Sequence, residues 1–130
     1  MAWEGNIVLN HTFEAAADLS AKQFYFVKLT SAGKVDVCAA VTDVPIGVLQ
    51  NKPTAGQAAT VMIIGITKLV ADAAVDEGNI IGTGADGQAQ PVTVGTETTV
   101  YIAGQALSQV SNAGEVFTAV VNCAAPARAA

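Results

Sequence analysis

The residues able to do chemistry in this chain are few and poorly grouped. His11, the single histidine, stands between Asn10 and Thr12. A lone imidazole needs an oriented partner to act as base or ligand, and no G-x-S-x-G nucleophile elbow accompanies it. Asp72, Asp76, Glu77 and Asp86 gather acidic charge, but Asp72-Ala73-Ala74-Val75-Asp76-Glu77-Gly78 lacks the alternating oxygen ligands of a calcium loop. It reads as a solvated face. Gly82-Thr83-Gly84-Ala85-Asp86-Gly87 has the G-x-G-x-x-G spacing of a dinucleotide loop. Such a loop must end a strand and open a helix, whereas Asp86-Gly87 favours a hairpin and Pro91 spoils a following helix. Cys38 and Cys123 come without a C-x-x-C or a histidine cluster, which argues against zinc. In a chain with no secretion signal they read as free, buried thiols. These patterns predict no catalytic, cofactor-binding or metal-binding residues, and a protein that is not an enzyme.

The bulk composition points to a scaffold that packs. A length of 130 residues suits one compact domain. Aromatic residues make up only 5%, so the core rests on Val, Ile and Leu, which favour pleated, half-buried surfaces. Charged residues are 13%, against about 25% in an ordinary soluble domain. With a mean hydropathy of +0.44, this suggests a surface partly covered by other chains. The net charge of −5 argues against nucleic acid, which binds basic surfaces. The most apolar run, Val61-Met62-Ile63-Ile64-Gly65-Ile66, ends at Thr67 and Lys68, far short of the ~20 residues of a spanning helix. No membrane partner is expected. The N-terminus lacks a basic patch followed by an apolar stretch, so synthesis and assembly in the cytoplasm are expected.

Strand signals dominate the chain. Residues 1 to 13 read as an N-terminal arm that carries Trp3, with Ile7, Val8 and Leu9 as a short strand. Trp3 could cover the core from an edge strand or anchor the arm on a neighbouring chain. In residues 24 to 29, Phe24, Phe26 and Lys28 share one side and Tyr25, Val27 and Leu29 the other. Such a strand suits cover on both faces. Gly33 turns the chain into residues 34 to 38, a hairpin. Further strands are expected at 45 to 50, at 58 to 66 with a bend at Gly65, at 79 to 81 and 89 to 94 around Asp86-Gly87, at 98 to 104 and at 116 to 121. Single helical turns are placed at 15 to 21 and 103 to 110. The chain divides into the arm (1–13), a β domain (14–121) and a flexible C-terminal tail (122–130). The expected fold is mainly β, a small antiparallel sandwich or barrel with little helix. Gly33 with Gly87, Gly47 with Gly104 and Gly56 with Gly114 recur at offsets of 54, 57 and 58. A two-fold internal repeat explains this; chance spacing of turns in a β meander is the alternative.

Asp18-Leu19-Ser20-Ala21-Lys22-Gln23 leading into residues 24 to 29, the Gly33 hairpin, Pro45-Ile46-Gly47-Val48-Leu49-Gln50-Asn51-Lys52-Pro53 and Ala55-Gly56 together resemble the capsid decoration, or head cement, proteins of tailed phages. The resemblance spans residues 4 to 121. It implies a β-rich protein on the outside of the expanded head, bound to the major capsid protein and commonly trimeric, with an arm reaching into the lattice. Trp3, Asn6, Ile7, Val8, Leu9 and Phe13 are then the candidate capsid contacts. Assembly in the host cytoplasm onto the outer capsid surface of the virion follows, with no cofactor. A ligand- or carbohydrate-binding β module displayed on a virion or cell surface is the alternative function.

Overall fold

The computed structural model describes residues 2–3 and 7–130. Every regular element in it is a strand: β1 (Ile7–Ala15), β2 (Phe26–Leu29), β3 (Lys34–Val37), β4 (Gly47–Leu49), β5 (Ala58–Val70), β6 (Ile80–Thr83), β7 (Ala89–Pro91), β8 (Tyr101–Ile102), β9 (Gly104–Ala106), β10 (Val116–Asn122) and β11 (Ala127–Arg128). Nine form one sheet in the order β1-β3-β2-β4-β5-β10-β9-β6-β7, and β8 with β11 forms a small second one. The mainly β expectation holds. The helical turn placed at 103 to 110 is strand β9 and a following turn instead, and residues 15 to 21 hold no helix.

The Gly33 hairpin forms as its residues dictate. Ala32 and Gly33 both have positive φ, 57° and 73°, and the Lys34 amide donates to Ser31 O at 3.2 Å. Two left-handed residues match the twist of the flanking strands. β2 pairs with β3 on one side and with β4 on the other, β4 pairs with β5, and β5 pairs with β1. β1 then meets β3 at Glu14↔Lys34 and Ala15↔Val35. Five strands thus close a ring. The closing pair is parallel, so the sheet is mixed, a correction to the purely antiparallel expectation.

A second ring repeats the first. β6 pairs with β7 and with β9, β9 with β10, and β10 with the far half of β5. Its closure is again parallel, an isolated bridge from Ala71 to Ala89. The two closures use equivalent hydrogen bonds. Ala15 N donates to Gln57 O and Gly56 N to Ala15 O, both at 2.9 Å; Ala71 N donates to Glu115 O at 2.9 Å and Gly114 N to Ala71 O at 2.8 Å. The glycine offsets in the sequence are therefore one supersecondary unit used twice. β5, thirteen residues long, closes the first ring with one half and opens the second with the other.

Alternation along each strand builds two cores. Val27, Val35, Leu49, Ala59 and Val61 point into the first ring with Ala15 and Leu19, and Phe13, Val37 and Ile46 pack against them. Their counterparts Ile81, Ala89, Ala106, Phe117 and Ala119 lie in the second core with Ala71 and Val75. Volume is redistributed between them: Phe117 stands where the first ring has Ala59, and Ala106 and Ala89 where it has Leu49 and Val35. Trading large for small at facing positions keeps a core filled. The opposite faces of β2, β4 and β5 carry Phe26, Val48 and Met62, which join the second core. Both faces of β2 are thus covered, as its apolar alternation requires.

The repeats diverge at one turn. Phe24 has φ 67° and Gly78 has φ 85°. Each donates its amide to the last residue of the neighbouring short strand, Phe24 N to Leu49 O at 2.7 Å and Gly78 N to Ala106 O at 2.8 Å. Glycine adopts this conformation freely, whereas a residue with a Cβ loses roughly 1–2 kcal/mol there. The fold itself does not demand the phenylalanine.

Candidate functional site

Apolar side chains left in water mark surface that other chains can cover. On β10, Phe117, Ala119 and Val121 face the core while Val116 and Val120 face outward and stay exposed. Thr118 also faces outward, yet it is fully buried. The cause is the start of the chain. The Trp3 amide donates to Thr118 Oγ1, and that hydroxyl donates back to the Trp3 carbonyl at 2.8 Å. One hydroxyl can do both, having one hydrogen and two lone pairs. Trp3 is thereby tied by its backbone to its own sheet, with 42% of the residue still exposed.

The other arm residues divide. Asn6 lies outside the described residues. Ile7 pairs through its backbone with Gly65. Val8 is 69% exposed and Leu9 43%, at the point where the β1–β5 register shifts. A bulge of this kind bends an edge and re-aims its side chains. Phe13 instead packs against the first core, with its ring edge-on to His11 at a centroid distance of 4.7 Å. From residue 7 onward the arm is a strand of the sheet, a correction to the separable segment read from sequence. Its row of Asn10, His11 and Thr12 looks detached in sequence but pairs with Met62, Val61 and Thr60.

The C-terminal segment is likewise placed. β11 pairs with β8 at Ala127↔Ile102 and Arg128↔Tyr101, and Ala129 is fully buried. The tail expected to be loose instead helps to line an apolar groove of about 340 Å³, with Cys123, Ala124 and Pro126 opposite Leu29, Val44 and Ile46. The Cys123 amide donates to Ile63 O at 2.9 Å, beside Ile64, the partner of Leu9. The groove and the exposed start of β1 therefore both flank the middle of β5. Cys38 and Cys123 are free and buried. Burial pushes both thiols up to about 12, so neither forms the reactive thiolate at neutral pH.

A third feature was hidden in the sequence. A cleft of about 470 Å³ is lined by Gln23, Phe24, Tyr25, Lys52, Gln88 and Val116, among others. Lys22 Nζ lies 4.9 Å from the Tyr25 ring centroid and Lys68 Nζ 5.7 Å from that of Phe24, within cation–π range. Lys28 and Lys34 are paired elsewhere, with Asp43 at 2.9 Å and Glu14 at 3.1 Å. At the cleft wall, Gln88 is best satisfied with its amide nitrogen donating to Asp72 Oδ1 and Asp86 Oδ2, 3.1 Å each, and its oxygen accepting from the Tyr25 hydroxyl at 3.0 Å. These two carboxylates, separate in the sequence, meet through one amide. Gly82 to Gly87 forms the end of β6 and the turn into β7, with Gly87 at φ 85°, the hairpin that Asp86-Gly87 predicts.

Burial, together with the charge of Asp86, raises the Asp72 pKa above 3.8. A carboxyl whose folded pKa is raised is disfavoured as the anion, so its stabilising contribution is complete at low pH and is lost as pH rises through the folded value. Asp72→Asn keeps an acceptor and removes the charge. It should raise Tm at pH 7 by about 2 °C, equivalent to about 0.5 kcal/mol after solvent screening. Melting at pH 2.5 should show no difference; a gain that persists there would assign the effect to packing rather than charge.

The chain is similar in fold to the head fiber gp8.5 N base of bacteriophage phi29. The crystal structure of that protein superposes with a TM-score of 0.66 at 19% identity, over 88% of this chain and 94% of that one. Coverage so wide takes in strands of both rings, so the likeness is to the whole double-ring chain. No protein-family model and no curated protein matches the sequence.

Proposed function

We propose that this protein is a structural component of a bacteriophage head, a non-enzymatic decoration protein that binds the major capsid protein on the outer surface of the expanded shell. The observation that carries the reading is the fold shared along nearly the full length of a chain described as a head fiber base. It agrees with the resemblance of residues 4 to 121 to decoration proteins. The surface suits the role. Trp3, Val8 and Leu9 leave apolar area in water, and the Leu29–Pro126 groove adds a second apolar surface. A protein that binds only the closed, expanded lattice stabilises it by mass action against packaged DNA. Many weak copies then act together. The working unit in this proposal is a trimer.

The carbohydrate-binding alternative finds less support. Sugar stacking needs open aromatic faces, but Lys22 sits on Tyr25, Lys68 on Phe24 and Arg128 on Tyr101.

The test mixes purified protein with undecorated expanded heads, sediments them and measures the melting temperature of the shell. Co-sedimentation at a fixed copy number with a raised shell Tm is expected. If the protein stays in the supernatant and the shell melts unchanged, the decoration reading is wrong.

A further inference from the structure

We propose that the Phe24–Tyr25 cleft is a self-assembly site, which receives the acidic turn Asp76-Glu77 of a second copy of this chain and joins copies head to tail. The proposal rests on the trimeric reading above and assigns the surfaces that make it.

The internal repeat supplies the control. Lys22-Gln23-Phe24-Tyr25 of the first ring occupies the same turn as Asp76-Glu77-Gly78-Asn79 of the second. The backbone match is close: Tyr25 N donates to Lys22 O and Asn79 N to Asp76 O, both at 3.1 Å. What this turn needs for folding is therefore visible in the second ring, a glycine at positive φ. The first ring instead carries a phenylalanine in that strained position. Strained backbone held against an unstrained alternative marks a site with another task.

The charges of the two turns are opposite. Of the six cationic side chains, Lys22, Lys52 and Lys68 surround this one cleft. No carboxylate among the described residues pairs with them within 4.0 Å. Three clustered cations in a chain of net charge −5 give this cleft a local charge complementary to an acidic segment. Asp72 and Asp86 are close by, but both are held at the Gln88 wall. Asp76 and Glu77 are exposed, and their carboxylates accept no hydrogen bond from the described residues. Each copy thus presents one basic-aromatic cleft and one acidic turn. The surfaces differ, so the contact is heterologous, and repetition of one such contact closes a ring when the rotation allows. Complementary patches of this kind set register and orientation.

Light scattering and sedimentation equilibrium on the full chain test the assignment. Lys22→Glu with Lys52→Glu is expected to weaken self-association at least about tenfold, and so is Asp76→Lys with Glu77→Lys. Combining all four substitutions restores opposite charge across the contact and should restore association to within a few-fold of the native chain. Phe24→Gly removes the ring while relieving the backbone; it should fold at least as well and associate about tenfold more weakly. Native-like association of the reversed variants, failure of the fourfold variant to recover while its melting curve stays native, or a native chain that is monomeric at every concentration would each overturn the proposal. Co-sedimentation of the same variants with expanded heads separates the readings: heads that bind native protein whose assembly ignores these charges leave the decoration function standing and remove only this interface.

Discussion

Deletion of residues 2–13 is expected to unfold the protein or to lower its Tm by about 15 °C or more. The lost segment is most of β1, which pairs with β5 at seven positions from Ile7 to Glu14. Without it β5 exposes one edge from Ala59 to Gly65, and only Glu14 and Ala15 are left to close the first ring. Phe13 leaves a core that is otherwise built from aliphatic side chains. Truncating a fully buried aromatic costs about 3–5 kcal/mol. The loss of partly buried Phe13 together with the pairs from Ile7 to Phe13 reaches that range, and each kcal/mol lowers Tm by about 4 °C in a chain of this length. Trp3→Ala provides the contrast. It leaves β1 and the Trp3 backbone contacts with Thr118 in place, so Tm should fall by no more than about 2 °C, as for other exposed positions. Any loss of shell binding by Trp3→Ala is then a surface effect. A deletion variant that melts like the native chain would show that β1 is dispensable and that the arm is separable after all.

Why β1 is misread from its sequence is instructive. A strand is recognised by apolar alternation and by nearby turn residues. In β1 the middle is Asn10, His11 and Thr12, and the partner strand lies some fifty residues on, beyond any local signal. The same holds for β9, whose Gly104 to Ala106 is too short to show a period. By contrast, the β2–β3 hairpin was legible because Gly33 and two apolar faces specify it locally, and β6–β7 because Asp86-Gly87 does. The cleft was not legible at all, since Lys22, Lys52 and Lys68 come from three separate segments. One signal could have revealed it: aligning the repeat at the offset of Gly33 to Gly87 places Lys22-Gln23-Phe24-Tyr25 on Asp76-Glu77-Gly78-Asn79, with charge reversed and glycine replaced.

That duplication also explains why so lightly charged and aromatic-poor a chain can hold a unique fold. Two rings sharing β5 let the outer face of one become the core of the other. Phe26, Val48 and Met62 are buried by the second ring, not by extra layers. Two of the four phenylalanines, Phe26 and Phe117, lie at this shared core. Phe13 serves the first ring, and Phe24 remains for the surface.

The second large effect is expected at the paired glycines. Gly47 on β4 lies so close to β5 that a Cβ would strike Met62 O and Val61 Cγ1; Gly104 on β9 lies so close to β10 that a Cβ would strike Val120 O and Val121 Cα. In each case the obstacle includes backbone of the long strand, which cannot retreat without breaking the pairing of Val48 with Met62 or of Gly104 with Val121. Gly47→Ala and Gly104→Ala should therefore each cost about 3 kcal/mol or more, the range of strained or overpacked core sites, read as a fall in the denaturant midpoint. Gly33 and Gly95 separate this cause from backbone conformation. Both have positive φ, 73° and 85°, but a Cβ at either meets nothing within 4 Å. Alanine there should cost only about 1–2 kcal/mol, the left-handed penalty alone. The two close-approach glycines should fall together and below the two open ones. If Gly104→Ala were as mild as Gly95→Ala, the second ring would not approach β10 as closely as the first approaches β5, and the two halves would share strand order without sharing the packing that makes them equivalent.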